Sequence, residues 1–230
     1  SNGPMVKGLD PKVAIQRLKK YQGLFDIRSE KWVKYSAGEE LFGLPQTQYP
    51  GLANVKKELK LLNALYDLYA EVISSLETYN STFWVQLDFP AMGEKFEEYR
   101  GSVKKLPKQL REWAQFVELK RIVDEFADMT PMFEGLGNAK AVKERHWQQI
   151  MQICGTEFPI DATFKLHHLT DANIAKFVED CEDIAGSAVK ELEIESKLRD
   201  IDNDWSDTNL VFSAFKNRGD VILKGADTQE

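Results

Sequence analysis

Leu52, Val55, Leu59, Leu62, Tyr66, Tyr69, Ile73 and Leu76 follow one another at steps of 3, 4, 3, 4, 3, 4 and 3. That rhythm keeps every one of them on one face of a helix and admits no strand or loop. A second stripe, Leu61, Leu65, Leu68 and Val72, runs beside it. The joint face is too wide for the seam of a two-stranded coil, so the pattern predicts the interior of a helical bundle. At ~1.5 Å per residue such a helix runs on the order of 40 Å, which predicts an elongated architecture.

The flanking segments predict further helices. Asp10-Pro11 supplies an acidic cap and a first-turn proline, and Ala14, Leu18, Tyr21, Phe25, Trp32 and Tyr35 carry that helix to about Leu41. Pro45 and Pro50 then force a turn. Phe83, Trp84, Leu87 and Phe89 are expected to open a helix around Pro90 that ends near Leu106, and Pro107 to start another, carrying Leu110, Trp113, Phe116 and Phe126. Met129-Thr130-Pro131 is expected to end it. Asn138 reads as the cap of a helix with two buried flanks, Ala139, Val142, His146, Ile150 and Ile153 on one and Trp147, Met151 and Cys154 on the other. Phe158–Leu169 reads as a loop with a brief turn. Thr170-Asp171 is expected to cap a terminal helix reaching Trp205, in one piece or broken after Gly186-Ser187.

At Leu210 the pattern changes. Leu210–Phe215, a turn at Lys216–Asp220, and Val221–Leu223 read as strand, turn, strand. The expected fold is therefore mainly α: elongated antiparallel helical bundles, rod-like, with a short C-terminal β-hairpin. The expected division is an expression scar at 1–4, a first bundle segment at 5–106, a second at 107–208, the hairpin at 209–225 and a tail at 226–230.

Charge narrows the partners. The chain of 230 residues carries a net charge of −7, and between Glu179 and Asp204 ten acidic side chains stand against three basic ones, an excess equal to the whole net charge. No basic stripe with interleaved aromatics occurs, so nucleic acid is not an expected partner. The longest apolar runs fall far short of the roughly 20 residues that span a bilayer, and no signal sequence opens the chain, so a soluble intracellular segment without membrane contact is expected. Cys154 and Cys181 each lie in an apolar helical stripe and read as reduced core residues.

The motifs that carry chemistry are weak. Gly135-Leu136-Gly137 precedes a helix, but the sixth position is Lys140 and no strand leads in, so a dinucleotide cradle is not supported. No G-x-x-x-x-G-K-[ST] run exists. His167, His168, Cys154 and Cys181 lack the close pairs that preorganise zinc. His146 shares an apolar stripe and reads as a packing residue with one internal hydrogen bond, together with Trp113, Trp147 and Trp205, whose rings are expected in the core. No catalytic, cofactor-binding or metal residues are assigned. The charged hairpin tip is the interaction candidate.

Several blocks resemble one family in its own order: LFGLPQTQYPGLANVKKELKLLNALYDLY (Leu41–Tyr69), LPKQLREWAQFVELKRIVDEF (Leu106–Phe126), KERHWQQIMQICGTEF (Lys143–Phe158), KELEIESKLRDIDNDW (Lys190–Trp205) and FKNRGDVILKG (Phe215–Gly225). Together they resemble the linker region of dynein heavy chains, and the last block is most similar to the axonemal outer-arm type. The resemblance implies the N-terminal half of a non-catalytic mechanical linker. Such a linker arches over a ring of six AAA+ modules and transmits ATP-driven change to the tail, for microtubule-based ciliary or flagellar motility. It further implies that ATP and Mg belong to the ring and no cofactor to this segment. The implied partners are that ring, the remaining linker and the tail, and the implied location is cytoskeletal, in the axoneme. Phe215, Lys216, Asn217 and Arg218 are the expected ring-docking residues. The alternative is a helical protein-binding scaffold that uses its acidic 179–204 face.

Overall fold

The structure is a computed structural model that describes residues 10–207, 212–214 and 216–223. Two long helices, α1 (Pro11–Leu41) and α2 (Pro50–Ser81), form an antiparallel hairpin. Asp10 starts α1, its carboxylate accepting the Lys12 and Val13 N–H groups at 2.8 and 3.3 Å. Lys12 pairs with Glu77 at one end, and the Asn63 amide donates to Gln22 midway at 3.1 Å. The turn is closed by Glu39, which accepts both the N–H and the hydroxyl of Thr47 and is held below the usual carboxylate range by them.

Each following helix packs on the one before. The hydroxyl of Tyr99 on α3 (Phe89–Lys105) donates to Glu71 at 3.2 Å and meets Ser75 at 2.7 Å, both on α2. Arg100 ties α3 antiparallel to α4 (Ala114–Leu136), its Nε on the Asp124 carboxylate at 3.2 Å and its Nη2 on the Asp124 carbonyl at 3.1 Å. Phe96 lies against Phe126 with ring centroids 4.2 Å apart. α4 in turn meets α7 (Val178–Asp207) where Gly135 faces Ala185; a Cβ at Gly135 would stand 3.2 Å from that of Ala185. α5 (Glu144–Cys154) covers the outer side of α7, and α6 (Leu166–Asp171) returns to α2. The buried residues form one cluster from Ala14 to Ala188, drawn from both sides of Leu106.

An aromatic node locks the far end of this cluster. Trp84 sits in a short 3-10 turn, Trp84–Gln86, with its N–H bonded to the Phe164 carbonyl at 2.8 Å. Its ring lies 4.8 Å from Phe89, 5.3 Å from Phe164, 5.5 Å from Trp147 and 6.3 Å from Phe133. Gly137 is part of the arrangement, because a Cβ there would run into the Phe89 ring.

Several boundaries correct the sequence reading. Pro131 does not end α4, which continues to Leu136. Proline removes one N–H and so leaves the Ala127 carbonyl without its helical donor; the Thr130 hydroxyl donates to that carbonyl at 2.8 Å. Pro107 opens a 3-10 turn at Lys108–Leu110, and α4 starts only after Trp113. Asn138 caps a tight turn, its Oδ1 accepting from Lys140 and Ala141 at 3.3 Å, and α5 starts later, at Glu144. Thr170 and Asp171 end α6 instead of opening the last helix, which begins at Val178 and runs unbroken through Gly186.

The β element is slighter than the hairpin expected over 209–225. β1 (Phe212–Ala214) and β2 (Asp220–Leu223) pair antiparallel, with a register shift between Ser213 and Ala214. Three paired positions give no face broad enough to bury, so the ribbon does not amount to a sheet. Leu210, Val211, Phe215, the scar at 1–4 and the tail at 226–230 lie outside the described residues.

Both long arms leave the core. Beyond Phe25 no residue of α1 is buried, and no residue of α2 before Leu59; the heptad residue Val55 is 43% exposed. After Ala188 no described residue of α7 is buried either.

Replacing Trp84 by Ala is expected to cost about 3–5 kcal/mol, since it empties the centre of the node. A urea unfolding curve that leaves the midpoint unchanged would contradict that role.

Candidate functional site, the clasp of α5 on α7 and the ribbon tip

α5 is gripped from two sides. Lys143 lies just before the helix, and its N–H is accepted by His146 Nδ1 at 2.9 Å, a side chain doing the work of a cap. A ring nitrogen that accepts carries no proton, so the neutral ring has its proton on Nε2. That nitrogen faces the Glu191 carboxylate of α7 at 3.1 Å, and the His146 residue is 1% exposed. Arg145 extends the contact, with Nε 3.0 Å from Glu191 and Nη2 3.0 Å from Glu195, and the Lys143 ammonium closes on Glu195. Glu191 is held below the usual carboxylate range by hydrogen bonds first from Arg145 and then from His146. Glu195 is lowered in the same way by Lys143 and then Arg145.

The other side of α5 is apolar. Trp147 stacks edge-on against Phe164 at 5.2 Å, Trp84 at 5.5 Å and Phe158 at 6.3 Å, and Ile150 is fully buried. Charge on one flank and aromatic packing on the other fix the rotation of the helix about its axis. Ile153, expected in the buried stripe, is 36% exposed because the stripe drifts off the contact by the last turn.

This arrangement holds shape and offers little reactivity. Burial pushes the Cys181 thiol up to about 12 and raises Cys154 as well, so neither is a ready nucleophile at neutral pH. His168 Nδ1 accepts the Lys165 N–H at 3.0 Å, and His167 Nδ1 lies 3.2 Å from Asp171. Among the described residues no group of three His, Cys, Asp or Glu stands as a metal site, and no helix is long and apolar enough to cross a membrane.

The sequence-predicted residues fall in different places. His146 and Trp147 meet at the clasp, and Trp113 is half-buried at the start of α4 against the core. Trp205 is corrected: it is 69% exposed, because α7 has left the core by that point. At the ribbon tip Lys216, Asn217 and Arg218 are exposed, with Lys216 at φ 52° and Gly219 at φ 80°, while Phe215 lies outside the described residues. Sequence reasoning missed Glu191 and Glu195 as internal partners. No local signal pointed to them, since they lie 45 to 52 positions from the side chains they meet. It also missed Trp84, Phe158 and Phe164 as one node.

The fold and the clasp define a helical scaffold in which long antiparallel helices are held in fixed rotation. Comparison with known proteins gives its family. The family described as "Dynein heavy chain, N-terminal region 2" matches residues 52–230. The chain is 45% identical over 229 residues to the "Dynein gamma chain, flagellar outer arm" of Chlamydomonas reinhardtii, covering 98% of this chain and 5% of that one. It is 40% identical over 230 residues to "Dynein axonemal heavy chain 5" of Rattus norvegicus, with 100% and 7% covered. To "Dynein axonemal heavy chain 8" of Homo sapiens it is 41% identical over 229 residues, with 99% and 5% covered. The chain belongs to the dynein heavy chain family. It spans about a twentieth of the length of these relatives.

The clasp predicts a pH dependence. Glu191 and Glu195 have folded pKa values below their ordinary 4.5, so their contribution is present above that value and is lost as pH falls through the lower folded ones. Urea midpoints of the parent and of a Lys143→Ala, Arg145→Ala variant are expected to differ at about pH 6 and to converge as the pH is taken well below 4.5. A constant difference across that range would show that the pairs contribute nothing through charge.

Proposed function

We propose that this chain is a mechanical linker segment of an axonemal dynein heavy chain, carrying ATP-driven conformational change from the AAA+ ring of the same chain to its tail. The observation that carries the reading is the match over most of the chain to the N-terminal region of dynein heavy chains, together with the similarity to the axonemal and flagellar relatives named above. A cytoskeletal location in a cilium or flagellum follows from those relatives. The motor ATPase activity, with its ATP and Mg, would reside in other parts of the heavy chain, and this segment would contribute no catalytic residue.

The physics of the fold supports a load-bearing part. Antiparallel helices in series, each locked to the last by packing, resist bending because dense interiors have little free volume to yield into. The outer parts of α1, α2 and α7 run on past the buried cluster, as the arms of a rod do. Small-angle scattering on a dilute sample is expected to give a radius of gyration clearly above the roughly 17 Å of a compact chain of this length; a value at the compact figure would count against the rod.

The ribbon tip is the proposed docking contact on the ring. Lys216, Asn217 and Arg218 present polar side chains on a short turn at the end of the described chain, with Phe215 beside them in sequence. Replacing Phe215, Lys216 and Arg218 by Ala in the intact heavy chain is expected to slow microtubule gliding while the unfolding midpoint of this segment stays the same. Unchanged gliding speed would sink the docking role. The alternative scaffold with an acidic 179–204 face is narrowed by the clasp, since Glu191 and Glu195 are already engaged within the chain.

A further inference from the structure

Cys154 and Cys181 lie on neighbouring helices, and the clasp sets the register between them. Lys143 meets Glu195 and His146 meets Glu191, so α5 runs forward as α7 runs back. On α5, His146, Ile150 and Cys154 follow one another at steps of 4, while Glu195, Glu191, Ala188, Ile184 and Cys181 step by 4, 3, 4 and 3 on α7. Each set is one helical stripe. Both helices rise by ~1.5 Å per residue, so counting onward from the His146–Glu191 contact brings Ile150 level with Ala188, and Cys154 level with Ile184 and Cys181. Ile150 and Ala188 are both buried, as that register requires.

One thiol of the pair is shielded and the other can be reached. Cys181 is fully buried, Cys154 is half-buried against the same cluster, and both are free thiols. Burial raises the Cys181 thiol most, and the next cause is the charge of Cys154, whose field acts on it only from nearby. Cys154 is the last residue of α5, and Gly155 follows at φ 64° where a Cβ would meet nothing within 4 Å. That turn has room to bring the two Cα atoms to the ~4.4–6.8 Å a disulfide needs. Among the described residues no group of three His, Cys, Asp or Glu forms a metal site, so the pair stands as a dithiol.

We propose that Cys154 and Cys181 are a modification site, a thiol pair that a low-molecular-weight disulfide oxidises to an internal disulfide joining the last turn of α5 to the base of α7. The Cys154 thiolate attacks one sulfur of the reagent, a mixed disulfide forms, and the first reagent thiolate leaves. The Cys181 thiolate then attacks the Cys154 sulfur, the internal S–S bond forms as the mixed one breaks, and the second reagent thiolate leaves. Each cysteine proton ends on a departing thiolate, so two protein thiols are oxidised and one reagent disulfide is reduced to two thiols. α5 is then held on α7 at both ends, by ions near Lys143 and by a covalent bond at Cys154, and the closed loop encloses Phe158, Phe164 and α6. The inference stands on the helix register and does not depend on the linker reading.

The test is incubation of the folded 230-residue chain with cystamine in mildly alkaline buffer, where more of Cys154 is thiolate, followed by blocking of free thiols and tryptic mapping without reductant. The expected product is a monomer in which the peptide His146–Lys165 is linked to the peptide Phe177–Lys190. Its urea midpoint is expected to rise by about 1 M and to return when a thiol reductant is added. Cys181→Ala is expected to form no link and to keep the cystamine half as a stable mixed disulfide on Cys154, because no second thiol displaces it. Cys154→Ser changes only a half-buried helix end, and its midpoint is expected to be the same with and without cystamine. Three results overturn the proposal: a parent chain in which Cys154 stays as the mixed disulfide, a link found only between two chains, or a linked monomer whose midpoint does not rise.

Discussion

The Trp84 ring is the contact on which the rest of this fold hangs. It touches the start of α3 through Phe89, the end of α4 through Phe133, α5 through Trp147, and the segment before α6 through Phe164. Without it α5 and the segment leading into α6 lose their common anchor to the core, because both are too short to hold their places by propensity. Aromatic pairs at these separations add about 0.5–1.5 kcal/mol each beyond the area they bury. The node fixes where α5 stands, and α5 then fixes α7 through the clasp. The order of dependence runs from a hydrophobic centre outward to an ionic edge.

That order also explains why the clasp is built from charges that are partly exposed. Salt bridges in such settings contribute little energy but are selective in direction. Lys143 and Arg145 meet Glu191 and Glu195 only when α7 presents one rotation. His146 belongs to both systems, with a buried ring, one nitrogen on the backbone of its own helix and the other on α7.

Long helices were readable from the sequence because periodicity is a local property, and α1 and the inner two-thirds of α2 follow it closely. What failed were places where a distant partner overrides a local rule. Pro131 reads as a stop until Thr130 is seen to supply the missing donor to Ala127. Thr170-Asp171 looks like a start and is a stop, since the chain must turn at Asn173, which adopts φ 57°. Trp205 reads as core because a stripe reports a face and cannot say whether anything covers it. At the candidate site the sequence showed that His146 and Trp147 pack, but the acidic partners lie some 45 to 52 positions away, beyond the reach of spacing arguments.

The seam between α4 and α7 has one further consequence. Gly135 lies opposite Ala185, and Cys181 and Ala188 on the same helix are buried and small. Side chains this short bring the two helix backbones close and leave no long, bendable groups between them to absorb a displacement. α7 then runs on for about five turns beyond Ala188. A push on the outer end of that helix meets a fulcrum set near its base, and the lever ratio, more than the strength of any single bond, decides how far α4 must turn in response.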